Sequence, residues 1–516
     1  MAKKEKFYVT TPIYYVNDVP HIGHAYTTVA ADVLARYYRI MIGADNVYFL
    51  TGTDEHGAKI AQAAEKQNKS PKAFTDEAAA KFQLAWDSLS ISYDDFIRTT
   101  EKRHKEIVVD FWNKLKDAKT PKGNPVVYED EYEGLYCIGC ESFKTEDDLV
   151  DGKCPDHNKE PELVKEKNYF LRLQDYEKKL KELIETGELN ILPEGKKNEI
   201  LGLIKTGLKD VAISRQKVKW GIPVPFDKEQ TTYVWIDALS NYISALGGLK
   251  SKLYKKFWPA DVHLMAKDIL KFHAVIWPCM LLALDLPLPK LVFAHGFFTI
   301  DGQKMSKTIG NVIAPDELVS KYGTDATRYL LLSQFGFGTD GDFAKERLDD
   351  IYNAALANEF GNLVSRTVSM TEKYFSGQVP KYNVEYDKFF QFDLQTDWNR
   401  YDFFMANLKF DEALNVIWEN IRRCNAYIDK EKPWELNNTD KDVLADVMYN
   451  LLETIRQTAI MILPFMPQTC EEIMKILGYK PEKELNKKIS ELRQWSSLPL
   501  DQKINSGEAL FPRFND

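Results

Sequence analysis

Two histidines that lie three positions apart, His21 and His24, offer the first chemistry in the sequence. They follow the first predicted strand and stand where a helix begins, with Gly23 between them. The free N–H groups and positive dipole of a helix N-terminus attract phosphate, and two imidazoles there can donate hydrogen bonds to a triphosphate. Gly23 leaves room for a flat base or ribose against its backbone. The alternative is an ordinary helix start with two partly exposed histidines.

Two lysines in a polar loop, Lys304 and Lys307, could act on the same ligand. They bracket Ser306 and come after His295, which closes a predicted strand. Two cations on a loop that contains Gly302 suit a mobile clamp for a polyphosphate, and their charge would matter most while pyrophosphate leaves. The alternative is a lysine-rich surface loop, the usual role of such sequences.

Three cysteines and a histidine form a C-x2-C pair and a C-x2-H pair, with Cys137, Cys140, Cys154 and His157. Thiolates and imidazole are zinc ligands, and four protein ligands close the coordination sphere, so the pattern predicts one structural zinc ion. Six cysteines in 516 residues do not indicate a disulfide framework.

The elements that must position these residues alternate at first between strand and helix. Residues 25–41 have the pattern of a helix, and strands are predicted at residues 7–11, 46–51, 232–236, 262–266 and 291–294. This alternation predicts an α/β fold with a Rossmann-type, doubly wound parallel sheet, interrupted by a charged insertion that contains the cysteines. Strands disappear after residue 344, and amphipathic segments at residues 401–429 and 442–462 predict an α-helical bundle.

The bulk composition excludes several classes of protein. Hydrophobic residues make up 44% and charged residues 28%, as in ordinary globular proteins, and 516 residues exceed what a single core can hold. No apolar segment follows the basic N-terminus, and the longest apolar runs are too short to cross a bilayer, so we expect a cytoplasmic protein without a membrane partner. A net charge of −9 gives no global indication of nucleic-acid binding.

The two candidate phosphate-binding motifs, in this order and on these elements, resemble the signature pair of class I aminoacyl-tRNA synthetases. Four further runs narrow the resemblance to methionyl-tRNA synthetases and lie at residues 11–15 (TPIYY), 52–57 (GTDEHG), 233–238 (YVWIDA) and 267–273 (KDILKFH). The sequence departs from the family at Thr308, where relatives have serine, and at Ala266, where they usually have glycine. The resemblance covers essentially the whole chain and implies a ligase that activates methionine with ATP and transfers it to tRNA.

The resemblance assigns roles to residues position by position. It implies His21, His24, Lys304 and Lys307 as catalytic residues, with Mg²⁺ accompanying ATP. The implied ATP-binding residues are His21, Gly23, His24, Lys267, Asp268, His295, Lys304 and Lys307, with Asp268 on the ribose. The implied methionine-binding residues are Ile13, Tyr15, Asp54, Trp235, Ala238, Tyr242, Phe272, His273 and Trp277, with Asp54 on the substrate ammonium group. Relatives also carry zinc knuckles in their insertion, with variable ligand sets.

The aromatic members of the implied methionine pocket suit an unbranched thioether on physical grounds. Tyr15, Trp235, Phe272 and Trp277 can form an apolar box, in which sulfur packs favourably near ring edges. His273 and Trp277 are four positions apart and therefore face one side of a helix. A hydrogen bond to sulfur from Tyr15 or His273 would add discrimination that an apolar pocket lacks. The alternative is that these aromatic residues form the core of the sheet.

The helical region contains the residues that the resemblance assigns to anticodon reading, which are Asn362, Arg366 and Trp434. An exposed Trp can stack on an unpaired base whose edges Arg and Asn can read, whereas the alternative is plain helix surface with one core Trp. The implied partners are ATP, methionine and tRNA(Met), including the initiator tRNA. Many bacterial relatives continue into a dimerising tRNA-binding domain that this sequence does not contain, so we expect a monomer.

The predicted organisation has five segments. They are two halves of a catalytic domain (1–118 and 226–294), a zinc-binding connective insertion (119–225), a stem-contact region (295–350) and an anticodon-binding domain (351–516). Three rival functions are a cysteinyl or branched-chain aminoacyl-tRNA synthetase, a small nucleotidyltransferase and a non-catalytic tRNA-binding paralogue. The aromatic pocket and short insertion disfavour the first, the helical region disfavours the second, and the intact histidines and lysines disfavour the third.

Overall fold

The strands and helices follow the predicted succession of a sheet region and a helical region. The computed structural model describes residues 4–17, 19–137, 142–144, 146–155, 158–305, 310–382 and 388–514. In chain order the strands are β1 (Phe7–Thr10), β2 (Tyr14–Tyr15), β3 (Val47–Asp54), β4 (Asp95–Arg98), β5 (Val127–Cys137), β6 (Ser142–Lys144), β7 (Glu162–Leu171), β8 (Asn190–Leu192), β9 (Val211–Ala212), β10 (Ser214–Arg215), β11 (Pro223–Val224), β12 (Asp227–Thr232), β13 (Val262–Ala266), β14 (Leu291–His295), β15 (Phe298–Ile300), β16 (Gln303–Lys304) and β17 (Gly341–Phe343).

The α-helices are longer and more numerous in the second half of the chain. They are α1 (Ile22–Ile42), α2 (Ala58–Lys66), α3 (Pro71–Ser88), α4 (Lys102–Asp117), α5 (Glu177–Thr186), α6 (Glu194–Thr206), α7 (Val234–Leu239), α8 (Asn241–Ser244), α9 (Lys252–Phe257), α10 (Trp277–Ala283), α11 (Pro315–Tyr322), α12 (Thr324–Ser333), α13 (Leu348–Ile351), α14 (Asn362–Phe375), α15 (Lys388–Ala406), α16 (Phe410–Glu431), α17 (Pro433–Thr439), α18 (Lys441–Ile462), α19 (Pro467–Ile476), α20 (Pro481–Glu484) and α21 (Ile489–Leu492). Two π-helical stretches, Phe272–Ile276 and Tyr352–Gly361, lead into α10 and α14. Such stretches often occur at functional sites.

The chain divides into two units. The first consists of Met1–Pro20, Tyr48–Asp87 and Tyr93–His295, and the second of His21–Val47, Ser88–Ser92 and Gly296–Asp516. The helix α1 therefore belongs to the second unit, together with the helices from α11 onward. The five functional segments drawn from the sequence stay predictions.

The main sheet lies in the first unit and has the strand order β2-β3-β1-β13-β14-β8, with β4 beside β3. The pairs β2–β3, β3–β4, β1–β13, β13–β14 and β14–β8 are parallel, which confirms the predicted parallel sheet. All four residues of β1 and all eight of β3 are buried, as expected for strands covered on both faces. Ligands bind open parallel sheets at the carboxyl ends of such strands, so a ligand site is expected at this edge.

Four of the five predicted strands match the sheet and one is wrong. The strands predicted at residues 7–11 and 46–51 are β1 and β3. The strand predicted at residues 262–266 is β13, and the one at 291–294 is β14, which continues to His295. The strand predicted at residues 232–236 is wrong, because β12 ends at Thr232 and residues 234–239 form the helix α7. β-Branched and aromatic residues favoured a strand, but a short apolar run cannot be told from a buried helix by periodicity alone. In α7, Val234, Ile236 and Leu239 are buried on different sides of the turn.

The predicted insertion contains a separate antiparallel sheet in the first unit. Its strand order is β6-β5-β7-β9, and β5 and β7 pair along nearly their whole length. Cys137 closes β5, so the sheet presents the first predicted zinc ligand at the end of a strand. This β-rich segment separates strands of the parallel sheet in the sequence, but β8, which pairs with β14 in the main sheet, also lies within the predicted insertion at residues 119–225, so the predicted bounds include part of the parallel sheet.

The second unit is helical beyond β17, which confirms the predicted helical C-terminal region. The helix predicted over residues 401–429 is in fact two helices, because α15 ends at Ala406 and α16 begins at Phe410. Leu408 takes a left-handed conformation with φ of 57° between them, and its side chain is buried. Burial of an apolar side chain offsets the cost of that conformation, a tertiary effect that helical periodicity does not reveal. Within the residues that the structure describes, none of the helices is long and apolar enough to cross a membrane.

Candidate functional site

The N-terminus of α1 holds His21 and His24 against each other. His21 is the N-cap residue, and its Nδ1 accepts a hydrogen bond from the Gly23 N–H at 3.1 Å. His24 Nδ1 accepts in turn from the His21 N–H at 3.3 Å. The two rings are stacked, with their centroids 3.7 Å apart. The histidines thus form a capping box, in which side chains and backbone N–H groups satisfy each other at the helix start.

These hydrogen bonds fix where the imidazole protons lie. Because each Nδ1 accepts, a neutral ring carries its proton on Nε2, the atom that can donate to a ligand. Burial, and after it the charge of His21, hold the pKa of His24 well below its usual range, so His24 is neutral at pH 7. Two N–H donors beside the positive end of a 21-residue helix suit an anionic ligand such as a polyphosphate.

Gly23 is required by the position of the His21 ring. A Cβ at residue 23 would lie 2.9 Å from His21 Cε1 and 3.3 Å from Met305 Cε. The first distance is a steric overlap, so any larger residue would push the His21 imidazole away from its cap. The sequence explains Gly23 by the space that it leaves for a ligand. The structure adds a second reason, because a side chain at residue 23 would overlap the His21 ring.

A buried ion pair holds α1 within the second unit. The Arg328 guanidinium lies 2.7 Å from Asp32 and donates to the backbone carbonyls of Leu89, Pro464 and Phe465. Burial alone would raise the pKa of Asp32, but its Arg36 and Arg328 partners and hydrogen bonds from Ser92 lower it to about 2. Removing one partner of a buried ion pair is strongly destabilising. The pair therefore fixes the position of α1, the helix that begins at His21 and His24.

The predicted lysine loop follows a tight hairpin. Strands β15 and β16 pair antiparallel around Asp301 and Gly302, whose φ angles of 49° and 76° are those of a type I′ turn. Asp342 Oδ1 accepts from the Gly302 N–H at 2.7 Å and fixes the turn. Lys304 closes β16. Lys307 lies outside the described residues, together with Ser306 and Thr308.

The carboxyl ends of β13 and β14 bring together three of the predicted ATP-binding residues. Ala266 and His295 are register partners at the last positions of the two strands. Lys267 and Asp268 follow immediately in a 3₁₀ turn, where Asp268 is exposed and His295 is buried. These residues belong to the first unit, and His21, Gly23 and His24 belong to the second.

The same edge of the sheet carries the start of the predicted methionine pocket. Tyr15 in β2 and Asp54 in β3 are register partners, so their backbones lie side by side at the carboxyl end of β3. Asp54 is only 7% exposed. A buried carboxylate in this position can pair with a substrate ammonium group.

The remaining pocket residues pack on one another in the first unit. The Trp235 and Phe272 rings are stacked at 3.6 Å, and Ala238 is one turn along α7 from Trp235. The Tyr242 ring lies 5.7 Å from the His273 ring and 6.0 Å from the Trp277 ring, so His273 and Trp277 do face the same side. Ile13 and Phe272 pack against the hydrophobic cluster that contains Tyr242 and Trp277.

The ring nitrogens of His273 are both used inside the protein. Nδ1 lies 3.0 Å from the Ile269 carbonyl, which can only accept, so Nδ1 carries the proton. Burial lowers the pKa of His273 to about 4, so the ring is neutral and its Nε2 accepts from the Tyr242 hydroxyl at 2.7 Å. The hypothesis that His273 donates a hydrogen bond to a thioether sulfur has no N–H left to support it in this arrangement. Tyr15 stays the candidate donor.

Three charged or titratable residues near the pocket were not singled out by the sequence. Asp237, in the helix that carries Trp235, accepts from His56 Nδ1 at 2.6 Å and from His104 Nε2 at 2.7 Å, and all three are buried. Burial would raise the Asp237 pKa, but the two histidines lower it to about 2. His56 and Asp237 do lie in the family-like runs at residues 52–57 and 233–238, but the sequence assigned them no role.

A second buried charge next to α7 was also missed. Arg215 closes β10 and is buried, with its guanidinium 4.3 Å from the Tyr233 ring. Arg215 donates to the Ser214 carbonyl at 2.9 Å. Tyr233 immediately precedes α7, so a cation stands beside the helix that carries Trp235 and Ala238. A lone arginine in a loop-rich stretch gave no sequence signal.

The predicted zinc ligands are only partly within the described residues. Cys137 at the end of β5 and Cys154 are both buried. Cys140 and His157 lie outside the described residues. Among the residues that are described, no group of three or more histidine, cysteine, aspartate or glutamate side chains is arranged to hold a metal.

The predicted anticodon residues lie on α14 and α17. Asn362 begins α14 and is exposed, and Arg366 follows one turn later, with its Nη2 3.1 Å from Asp429 Oδ1 on α16. Trp434 is the second residue of α17 and is 44% exposed, whereas the preceding Pro433 is buried. An exposed indole is available for stacking, so the alternative that Trp434 is a core residue is wrong.

Comparison with known proteins assigns both units to one family. The profile described as "tRNA synthetases class I (M)" matches residues 7–160 and 157–368, and that of the "Anticodon-binding domain of tRNA ligase" matches residues 388–511. The methionine–tRNA ligase of Caldanaerobacter subterraneus is 47% identical over 99% of this chain and 79% of its own length. That of Thermotoga maritima is 44% identical over 99% of this chain and 80% of its own.

A solved structure agrees with these sequence matches. Mycobacterium tuberculosis methionyl-tRNA synthetase in complex with methionyl-adenylate superimposes with a TM-score of 0.92 at 35% identity, over 99% of this chain and 100% of that one. With the stacked histidines of α1, the aromatic pocket and these matches along nearly its whole length, the chain belongs to the class I methionyl-tRNA synthetases, the methionine–tRNA ligases.

Proposed function

We propose that the chain activates methionine with ATP and transfers it to tRNA(Met) through the residues described above. In the first step a methionine carboxylate oxygen bonds to the α-phosphorus of ATP, and the bond from that phosphorus to the β-phosphate bridge breaks and releases pyrophosphate. In the second step a hydroxyl of the terminal tRNA adenosine attacks the acyl carbon, and AMP leaves as the hydroxyl loses its proton. Neither step needs a side-chain nucleophile, so catalysis rests on positioning and charge.

The observation that carries this proposal is the pair of Nε2–H donors on the α1 N-terminus. His21 and His24 present them to the triphosphate, and the helix dipole adds a fixed positive potential. Lys304 and Lys307 supply positive charge while pyrophosphate leaves, and Mg²⁺ accompanies the nucleotide. Lys267, Asp268 and His295 bind the rest of the nucleotide, with Asp268 on the ribose.

Methionine is held by the residues of the first unit. Asp54 pairs with the substrate ammonium, and the thioether enters the aromatic group around Trp235, Phe272 and Trp277. Ile13, Tyr15, Ala238, Tyr242 and His273 complete the pocket. Since the His273 nitrogens are engaged, the sulfur is recognised by ring packing, worth roughly 0.3–1.5 kcal/mol per contact, and by Tyr15.

The tRNA is recognised by the α14 and α17 surface. Trp434 stacks on an anticodon base, and Asn362 and Arg366 read its edges. The exposure of Trp434 and Asn362 supports this role, as does the match of residues 388–511 to an anticodon-binding profile. We further propose a cytoplasmic monomer that also charges the initiator tRNA.

We propose one structural zinc ion, held by Cys137, Cys140, Cys154 and His157. The donor set fits a closed tetrahedral site, and the burial of Cys137 and Cys154 suits thiolates shielded from water. The ion would fold the insertion and take no part in the reaction. Metal analysis of the purified protein should find one zinc per chain, lost in Cys137→Ala and retained in Cys279→Ala, since Cys279 is a buried core cysteine elsewhere.

A single-turnover chase tests the proposed function directly. The protein is incubated with ATP and labelled methionine, the bound methionyl-adenylate is isolated, and tRNA(Met) is added. We expect the label to move to the tRNA and AMP to be released in equal amounts. A bound adenylate that tRNA(Met) does not discharge would contradict the second step, and the absence of any adenylate would contradict the first.

A further inference from the structure

A buried carboxylate of the first unit, Glu55, takes no part in the reaction proposed above. It follows Asp54, the last residue of β3, and is 0% exposed. A glutamate is almost never buried this completely unless its charge is paired. The groups that surround Glu55 therefore indicate what the residue does.

Four hydrogen-bond donors converge on the Glu55 carboxylate. Arg98 binds both oxygens, with its Nε 2.6 Å from Oε1 and its Nη2 3.0 Å from Oε2. The Thr53 hydroxyl donates to Oε1 at 2.7 Å, and the Thr100 hydroxyl donates to Oε2. A bidentate pair with arginine is among the strongest and most directional contacts of a carboxylate. The orientation of the Glu55 side chain is therefore fixed.

The pairing of β3 with β4 brings Arg98 to this place. Thr53 and Arg98 are register partners, and so are Gly52 and Ile97 one position earlier. A Cβ at residue 52 would lie 2.0 Å from the Ile97 carbonyl oxygen, so the close approach of the two strands requires glycine. Arg98 also donates to a half-exposed partner, Asp76, at 2.6 Å.

The backbone of Glu55 is held as well as its side chain. Its N–H donates to Thr99 Oγ1 at 2.9 Å, and its carbonyl accepts from the Trp220 indole at 2.6 Å. The Trp220 carbonyl accepts in turn from the Gly57 N–H at 3.0 Å. The segment that follows β3 is therefore fixed both by its backbone and by the Glu55 carboxylate.

The orientation of Glu55 bears directly on its neighbour Asp54. The hydrogen bond between Thr53 and Glu55 shows that these two side chains share one face. Successive side chains of a strand point to opposite faces, so Asp54, which lies between them, points to the other face. Arg98 also neutralises the charge of Glu55, so this carboxylate does not compete with Asp54 for a substrate ammonium group.

We propose that Glu55 is a positioning residue for methionine: Arg98, Thr53 and Thr100 hold its carboxylate, and Glu55 thereby keeps Asp54 turned toward the substrate ammonium group. Loss of the Glu55 charge leaves the Arg98 guanidinium without its bidentate partner and frees the segment after β3 to rotate. Asp54 then meets the ammonium group in a poorer geometry. This inference rests on the proposed methionine activation.

Two ligands that differ in the ammonium group separate positioning from packing. Methioninol keeps the ammonium group and the thioether, whereas deamino-methionine lacks the ammonium group, and both are tested as inhibitors of methionine-dependent ATP–pyrophosphate exchange. For Glu55→Gln, which keeps the shape and removes the charge, we expect the KM for methionine and the Ki of methioninol to rise about tenfold. The Ki of deamino-methionine and the KM for ATP should stay within about twofold of the wild type.

Two other results for Glu55→Gln would overturn the proposal. If Glu55 only shapes the pocket, the variant binds deamino-methionine and methioninol more weakly by the same factor. If Glu55 only stabilises the sheet, the variant melts earlier and neither Ki changes. Wild-type protein without methionine-dependent exchange would instead contradict the proposed function, so the two failures are distinguishable in one set of assays.

A milder variant and a control cover the case in which Glu55→Gln does not fold. Thr100→Val keeps the shape and removes one of the donors to Glu55, so the KM for methionine should rise about fivefold with the KM for ATP unchanged. Asp76→Asn removes only the half-exposed partner of Arg98 and should leave both KM values within about twofold of the wild type. Equal KM values for methionine in these two variants would contradict the proposal.

Discussion

Two tryptophans of the same molecule, Trp277 and Trp434, have opposite surroundings. Trp277 is 0% exposed within the core of the first unit, whereas Trp434 is 44% exposed on α17 in the second. In the sequence, both admitted the same alternative of a core residue. On the proposed roles, the methionine pocket shares its residues with the core that stabilises the first unit, whereas the base-stacking surface lies outside the core of the second. Binding and stability should therefore be inseparable at Trp277 and separable at Trp434.

The largest effect should come from Trp277→Ala. Removing a wholly buried indole costs about 3–5 kcal/mol of unfolding free energy, since it deletes apolar contacts and leaves a cavity. We expect early thermal melting together with loss of both methionine activation and tRNA charging. A variant that melts like the wild type while losing activation would show that the pocket is not part of the core.

Gly23→Ala should separate activation from stability at a different place. The added methyl displaces the His21 ring from its cap, and the loss of one preorganised donor typically costs about 10²–10³-fold in kcat. Exchange and charging should fall together while thermal melting changes little. Gly202→Ala on α6 is the matched control, because a methyl group there meets no atom within 4 Å. Equal exchange rates in the two variants would contradict the role of Gly23 in keeping the His21 ring in place.

Trp434→Ala should impair tRNA charging while methionine activation and stability stay unchanged. Loss of one stacked base costs about 1–3 kcal/mol, which lowers tRNA charging about ten- to a hundredfold. Methionine-dependent exchange and the melting temperature should stay at wild-type values, because the indole is exposed. Parallel measurement of charging, exchange and melting checks this, and a joint loss of all three would contradict a specific role of Trp434 in binding tRNA.

Arg366→Gln should give the smallest effect of the series. The Arg366–Asp429 ion pair is solvent-exposed and contributes about 0–1 kcal/mol to stability, so melting should not change. Charging should fall about tenfold through the loss of one charged contact to RNA, with exchange unaffected. Lys373→Gln, an exposed cation on the same helix, is the control. Similar charging by both variants would show that Arg366 contributes only general positive charge and would contradict its proposed role in reading the anticodon.

The sequence predicted the architecture well where signals are local. Hydrophobic periodicity predicted parallel strands such as β13 and the helices of the second half. The motif at His21 and His24 marked the start of α1. Each of these signals lies within a few residues of the element that it predicts. The error at α7 has the same origin, because a short apolar run has no decisive period. The break at Leu408 escaped prediction because only burial supports its left-handed backbone.

The sequence indicated candidate site residues but not the hydrogen bonds among them. The motifs pointed to His273 and Tyr242, yet the direction of their hydrogen bond depends on the Ile269 carbonyl. Asp237 joins His56 and His104 across 181 and 133 positions of the sequence, and no spacing rule links such residues. Tertiary contacts alone decide these partners and the proton positions that follow.

The most direct test of the account is amino-acid-dependent ATP–pyrophosphate exchange by the wild-type protein without tRNA. We expect exchange that requires methionine and is negligible with cysteine, isoleucine, leucine or valine, because the proposed pocket combines an aromatic box for an unbranched thioether with the buried Asp54. Exchange that is absent with methionine, or equally fast with isoleucine or cysteine, would contradict it.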